Sequence, residues 1–196
     1  MKKKKILLII IAIIVLLYII SVIYKLSILN KIIKTNANTL ANEDNLYYFL
    51  HGNNHNEEYW RNGNIIKAEI TKNKNDSPEI ILWKDYSINN GYTFIPSSKT
   101  YFTSTVGLAM HNSQLASYST KFTVAFLPIC IITSKEYDNQ KCYSLKMLSI
   151  TEYINKETGL LVYSKSDDDE FNIKYSFDTV TDKDVQSPNI EEYTLQ

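Results

Sequence analysis

The chain is short of the residues that most often announce chemistry. It has two cysteines, three histidines and a single arginine, Arg61. No Gly-x-Ser-x-Gly elbow occurs, so nothing marks a strained turn presenting a serine nucleophile. No Gly-x-Gly-x-x-Gly or other phosphate-cradling loop occurs either. Cys142 has no evident histidine partner to act as a base. The reading from these absences is a non-enzyme without a cofactor. Net charge is missing too: 21 basic residues balance 21 acidic ones.

What the chain does have stands at its start. Lys2, Lys3, Lys4 and Lys5 run into an apolar stretch from Ile6 to Tyr24, closed by Lys25. Nineteen helical residues reach about 28 Å, close to the thickness of a bilayer core. Lysines concentrated before the span predict a cytoplasmic N-terminus and an extracytoplasmic remainder. The apolar core exceeds the usual h-region of a signal peptide, and no Ala-x-Ala-like site follows it. No cysteine near Ser21 offers a lipoprotein attachment point. The expectation is an uncleaved, single-pass anchor in the cell membrane: a basic tail at 1–5 and a transmembrane helix at 6–24.

Setting Lys2 to Lys5 aside leaves 17 basic residues against 21 acidic ones, a net charge of −4. A mildly acidic domain gives no electrostatic case for nucleic acid. Ile, Asn and Lys are abundant, and their codons are rich in A and T, which points to an AT-rich bacterial genome. Cys130 and Cys142 have eleven residues between them. Outside the membrane a disulfide is chemically permitted. The favoured alternative is one buried thiol in each of two strands. Lacking histidine or acidic neighbours, the pair makes a poor zinc site.

Residues 25–45 read as a helical stalk or plug. Leu26, Leu29, Ile32 and Ile33 fall at helical spacing, and neither Gly nor Pro interrupts the run. Asn36, Asn38 and Asn42 weaken its end. From Leu46 to Gln196 the grammar is antiparallel β. Tyr, Phe, Ile, Thr and Val dominate, and turn residues recur every eight to twelve positions. Asn62-Gly63 and Asp138-Asn139 mark tight turns. Lys141–Ile154 reads as one run. The segment 107–118 breaks the rhythm as a short helix or lid, and 180–193 reads as loop. In all, about eight to ten strands are expected.

Two clusters invite a site and fit solvated turns better. His51 and His55 stand four apart, but Gly52, Asn53 and Asn54 between them predict a turn, not a helical metal pair. Asp167, Asp168, Asp169 and Glu170 lack the glycine and alternating spacing of a calcium loop. No metal is expected. The aromatics are more telling. Tyrosine alone occurs 15 times. In strands, alternate aromatics fill a core or line a ligand cavity.

The run Asp138-Asn139-Gln140-Lys141-Cys142-Tyr143-Ser144-Leu145-Lys146, followed by Glu152-Tyr153-Ile154-Asn155-Lys156-Glu157-Thr158-Gly159-Leu160, resembles the late strands of the LolA-like periplasmic lipoprotein-carrier superfamily. Gly91-Tyr92-Thr93-Phe94-Ile95-Pro96 with Lys99 resembles that family's strand before its central helices. Asn139-Gln140 stands where the family favours Gly, and Asn155 where it favours Asp. The resemblance implies an α+β fold: a curved antiparallel half-barrel with one or two helices on its concave side. It also implies an apolar cavity for acyl chains. Trp60, Trp83, Tyr92 and Phe94 are the expected ligand-lining residues. A permanently anchored chain cannot shuttle freely, so the expected function is a tethered binding module for an acyl chain, lipid or lipoprotein segment. The alternative is an interaction domain, sensor-like, that fills its own sheet and meets an envelope protein partner.

Overall fold

The computed structural model describes residues 2–42, 44–73, 76–103, 127 and 129–196. Helix α1 runs unbroken over Lys2–Asn42, a rod of about 60 Å. The apolar span and the stalk are therefore one element. No residue of its most apolar window is buried within the protein. Deeper along the same helix, Ile28, Leu29, Ile32 and Asn36 are buried, and their spacing puts them on one face. Asn36 does not weaken the helix end as its propensity suggests. Its side-chain Nδ2 donates to the carbonyl of Gly159 at 3.0 Å.

Twelve strands follow: β1 (Asn45–Gly52), β2 (Asn56–Asn62), β3 (Ile65–Thr71), β4 (Ile80–Asp85), β5 (Asn90–Ile95), β6 (Thr100–Phe102), β7 (Ile131–Tyr137), β8 (Gln140–Met147), β9 (Ile150–Asn155), β10 (Leu161–Lys165), β11 (Glu170–Phe177) and β12 (Thr194–Leu195). They form one sheet in the order β12-β6-β5-β4-β3-β2-β1-β11-β10-β9-β8-β7. The expected eight to ten strands fall short for two reasons. The run Lys141–Ile154 is two strands, split at Leu148-Ser149 without Gly, Pro or Asn to announce it. The C-terminal stretch is also not all loop: a 3₁₀ turn at Ile190–Glu192 precedes β12. The sheet is mixed rather than purely antiparallel, because β12 pairs parallel to β6. The expected lid at 107–118 lies outside the described residues, as does most of the run before Ile131.

Turn chemistry explains the hairpins. Asp138 (φ 48°) and Asn139 (φ 59°) join β7 to β8, and both tolerate the left-handed conformation that a two-residue turn needs. Gly63 (φ 57°) serves the β2–β3 turn. Gly159 (φ 69°) meets a second demand. A Cβ there would lie 2.4 Å from the backbone nitrogen of Asn36, so only glycine lets α1 approach. Asn155 shapes that turn, its Oδ1 accepting from the amides of Glu157 and Thr158 at 2.7 and 3.0 Å.

Strand alternation sorts the side chains onto two faces. Tyr48, Tyr59, Ala68 and Leu82 pair in register across β1 to β4, and all are buried. With Leu46, Leu50, Ile66, Leu160 and Ile173 they form one apolar cluster. A second cluster joins Ile28, Leu29 and Ile32 of α1 to Leu127, Cys130, Leu145 and Ile154. The helix thus packs on the apolar face over β8 and β9.

Candidate functional site

The opposite face is aromatic and partly polar. Trp60, Trp83, Tyr92 and Phe94, the expected lining residues, all lie on it. Trp60 pairs with Lys67, Lys67 with Trp83, and Trp83 with Tyr92, so register places them on one side. They are not under α1. A C-terminal strap, residues 178–196, crosses them. The Trp83 Nε1 donates to the carbonyl of Val185 at 2.9 Å. The Tyr193 ring meets Phe94 edge-on at 5.0 Å, and Phe94 is fully buried. Trp60 borders a small cleft with Tyr47, Glu58, Thr179, Val180 and Asp184. Burial, and then the Glu58 carboxylate beside it, pushes the Tyr47 hydroxyl up to about 12.

A larger cleft, about 560 Å³, opens on this same side. Phe49, His51, Val162, Asn172, Ile173, Lys174, Tyr137, Asp138 and Gln140 line it. Its wall comes from the curl of the sheet. The β7–β8 turn reaches over β9 and β10 to β11: the Tyr137 hydroxyl donates to the Asn172 side chain, and Lys174 Nζ lies 3.7 Å from Asp138. Behind this wall Tyr137, Tyr153 and Tyr163 form a trio with ring centroids 4.8 to 5.2 Å apart. Burial, then the hydrogen bond from Tyr163 to Glu170, pushes the Tyr163 hydroxyl up to about 12.

The volume falls within the range of small-molecule pockets. Phe49 and Val162 offer an apolar floor, and His51 and Lys174, the latter beside Asp138, stand at the rim; the Ile173 side chain belongs to the opposite, apolar face. That arrangement suits an amphiphile: apolar body inward, polar or anionic head at the edge. Sequence reasoning missed the cleft because its residues come from five strands that only topology unites. One local signal existed: Phe49 and His51 alternate on one face of β1, and their rings lie 6.2 Å apart.

The apolar face holds one polar pair. Glu57 is 2% exposed among apolar neighbours, and the Tyr48 hydroxyl donates to it. Burial, and then this carboxylate, pushes Tyr48 and Tyr175 well up from their ordinary value.

Cys130 and Cys142 are free thiols, buried in separate apolar clusters. Burial raises both thiols above their ordinary value, which makes them poor nucleophiles. His51 Nδ1 donates to the Asn56 Oδ1 at 2.5 Å, with His55 in the turn beyond. Among the described residues no cluster of three His, Cys, Asp or Glu could hold a metal.

No family model matches the chain, and no curated protein matches it. Two solved structures are similar in extent. The Mycobacterium tuberculosis lipoprotein LppX is 8% identical with a TM-score of 0.48, covering 82% of this chain and 98% of its own. A DUF1329 family protein from Desulfovibrio piger is 10% identical with a TM-score of 0.33, covering 81% of this chain and 97% of its own. At these values neither likeness carries an argument about what this chain does.

Proposed function

We propose that the chain is a membrane-tethered, extracytoplasmic binding module that holds an acyl chain, a lipid or a lipoprotein segment beside the membrane. The observation that carries this reading is the continuity of α1. One helix is bare and apolar through Ser21, begins to pack at Val22, and enters the domain core at Ile28, Leu29 and Ile32. Bare apolar surface of that length belongs in a bilayer, so the sheet is held against the membrane and not on a loose linker. The strand and hairpin at 138–160 add the resemblance to lipoprotein carriers. The half-barrel belongs to the same proposal, supported by the curl that brings the β7–β8 turn to β11.

The cleft over Phe49 and Val162 is the proposed seat for the ligand. Catalysis has no part in this reading. Apolar burial drives capture at about 25 cal/mol per Å², and His51 and Lys174 favour an anionic or hydrogen-bonding head. Trp60, Trp83, Tyr92 and Phe94 become ligand-lining only where the strap lifts from them.

The test is native mass spectrometry of the full chain released from mild detergent, before and after incubation with membrane lipids and lipopeptides. One lipid per chain, lost in Phe49→Glu while the melting temperature holds, supports the module. A mass that stays free of adducts moves the reading to the second one, a protein-interaction domain. One feature already favours that second reading: the described apolar clusters are filled by the chain's own side chains, with Ala68 and Ile154 at 0% exposure.

A further inference from the structure

The corner of the sheet formed by β7, β8 and β9 breaks the surface rules of a soluble hairpin. Ile129 is 52% exposed, Ile131 59%, Leu148 73% and Ile150 37%. They form one group. Lys146 pairs with Ile131 on one side and Thr151 on the other, Met147 pairs with Ile150, and Leu148 caps the turn between them. Leu148 also sits at φ 54°. That conformation suits Gly, Asn or Asp and strains a leucine. None of the apolar clusters among the described residues takes in this leucine, and a turn facing water favours Asn or Gly.

The corner also has a definite height along α1. At the far end, Asn36 meets Gly159, just past β9. At the near end, Lys25 Nζ donates to the carbonyl of Leu127 at 3.3 Å, and Val22 and Leu26 pack on the cluster holding Cys130, Leu145 and Ile154. The helix therefore passes Ile154 of β9 and Leu145 of β8 on its way to the segment before β7. From Asn36 back to Lys25 is about 16 Å of helix. From Asn155 back to Ile150 is also about 16 Å of strand. Counted along both elements, Ile150 comes about level with Lys25, the residue that closes the apolar span. Leu148 lies about 7 Å further toward the membrane.

We propose that this β7–β9 corner dips into the outer interface of the bilayer that α1 spans, with Leu148 as its apex. The proposal rests on the tether reading above. The occupant is lipid and not a protein partner, because the apolar residues face both ways. Strand alternation puts Ile131 on the aromatic side and Ile150 on the α1 side, with Leu148 between them. A docked protein covers one face, whereas a bilayer surrounds a tip. Lys146 stands at headgroup height, where a long basic side chain reaches the phosphates. The acidic turn Asp167–Asp169, further along the same sheet end, belongs in water. That turn lies next to β9, where Lys165 pairs with Thr151, and burying its carboxylates would be costly, so the domain tilts to confine contact to β7–β9. Two contacts, a span and a tip, would set which side of the sheet opens toward the membrane.

The test places an environment-sensitive dye on the full chain in nanodiscs whose lipids carry spin-label quenchers at shallow or deep positions. Cys130 and Cys142 are buried, so neutral-pH labelling goes to the introduced thiol, with the unsubstituted chain as the control. Three positions are read separately: Ile10→Cys, Ser149→Cys and Asp168→Cys. The expected result is deep quenching at 10, shallow quenching at 149 and none at 168. Adding Leu148→Asn to Ser149→Cys should lower the docked population about tenfold, and the melting temperature should hold or rise because Asn suits φ 54°. Quenching at 10 without quenching at 149 overturns the tip and leaves the tether standing. Quenching at 149 unmoved by Leu148→Asn also overturns it. Quenching at neither 10 nor 149 removes the tether reading and the tip with it.

Discussion

The two faces of the sheet are closed by opposite means. Over β8 and β9 the lid is a helix, locked by backbone-to-backbone proximity. Gly159 lies under Asn36 with no room for a Cβ, and Thr39 Oγ1 donates to the carbonyl of Thr158 at 2.8 Å. Over β4 and β5 the lid is an irregular strap, held by aromatic rims and single hydrogen bonds such as Trp83 to Val185. Its last grip is the two-residue strand β12 on β6. A lid that shares a core with the sheet opens only when the domain unfolds. A lid held by rims opens locally, at lower cost. On the proposed binding-module reading, a ligand enters past the strap or the aromatic cleft, not beneath α1.

The sharpest way to break this contrast is Gly159→Ala. The new Cβ meets the α1 backbone and must also hold φ 69°. We expect a loss of about 4 kcal/mol of global stability, seen as a matching fall in the denaturation midpoint by both helix and tyrosine signals. A wild-type midpoint would mean that α1 does not press on the turn. Asn36→Ala comes next. It removes the donor to the buried Gly159 carbonyl, partly offset by better helix propensity, for a net loss of about 2 kcal/mol. The lesion should again be global. Faster amide exchange limited to the end of α1 would count against a shared core.

Much of the helix-covered face was legible from local pattern. The spacing of Leu29 and Ile32, the alternation of Ile66, Ala68 and Ile70, and the Asn155–Gly159 turn each follow from near neighbours. Residues whose role depends on distant chain were not legible. Asn36 reads as a helix-weakener until Gly159 is placed 123 positions away. The sequence around Trp83 and Phe94 does not show that Val185 and Tyr193 lie above them. The split of Lys141–Ile154 was hidden because Leu148 stands where turn chemistry calls for Asn or Gly. The cleft residues His51, Gln140, Asn172 and Lys174 meet only through the curl of the sheet.

The strap side answers to gentler changes. Trp83→Phe keeps a ring against Tyr92 and deletes the bond to Val185, for a loss of about 1 kcal/mol. Amide exchange should quicken across 185–195 and stay unchanged in α1. Equal quickening in both would erase the distinction between the two lids.

Alkali provides the mildest probe, and it reads the strap side through Tyr47 and the cleft side through Tyr163. Both hydroxyls are pushed up to about 12 from an ordinary value of 10. The folded state therefore keeps protons that the unfolded chain releases, so their contribution is fully present below pH 10 and is lost as pH rises toward 12. Stability should fall across that window, while phenolate absorbance lags behind that of the unfolded chain. Glu58 and Glu170 beside the two hydroxyls enlarge the effect, so Glu170→Gln should bring the Tyr163 titration down and leave that of Tyr47 in place. A Tyr163 that titrates near 10 in the wild-type fold would mean the tyrosine trio is open to water. The wall of the cleft would then be looser than its three closely packed rings imply.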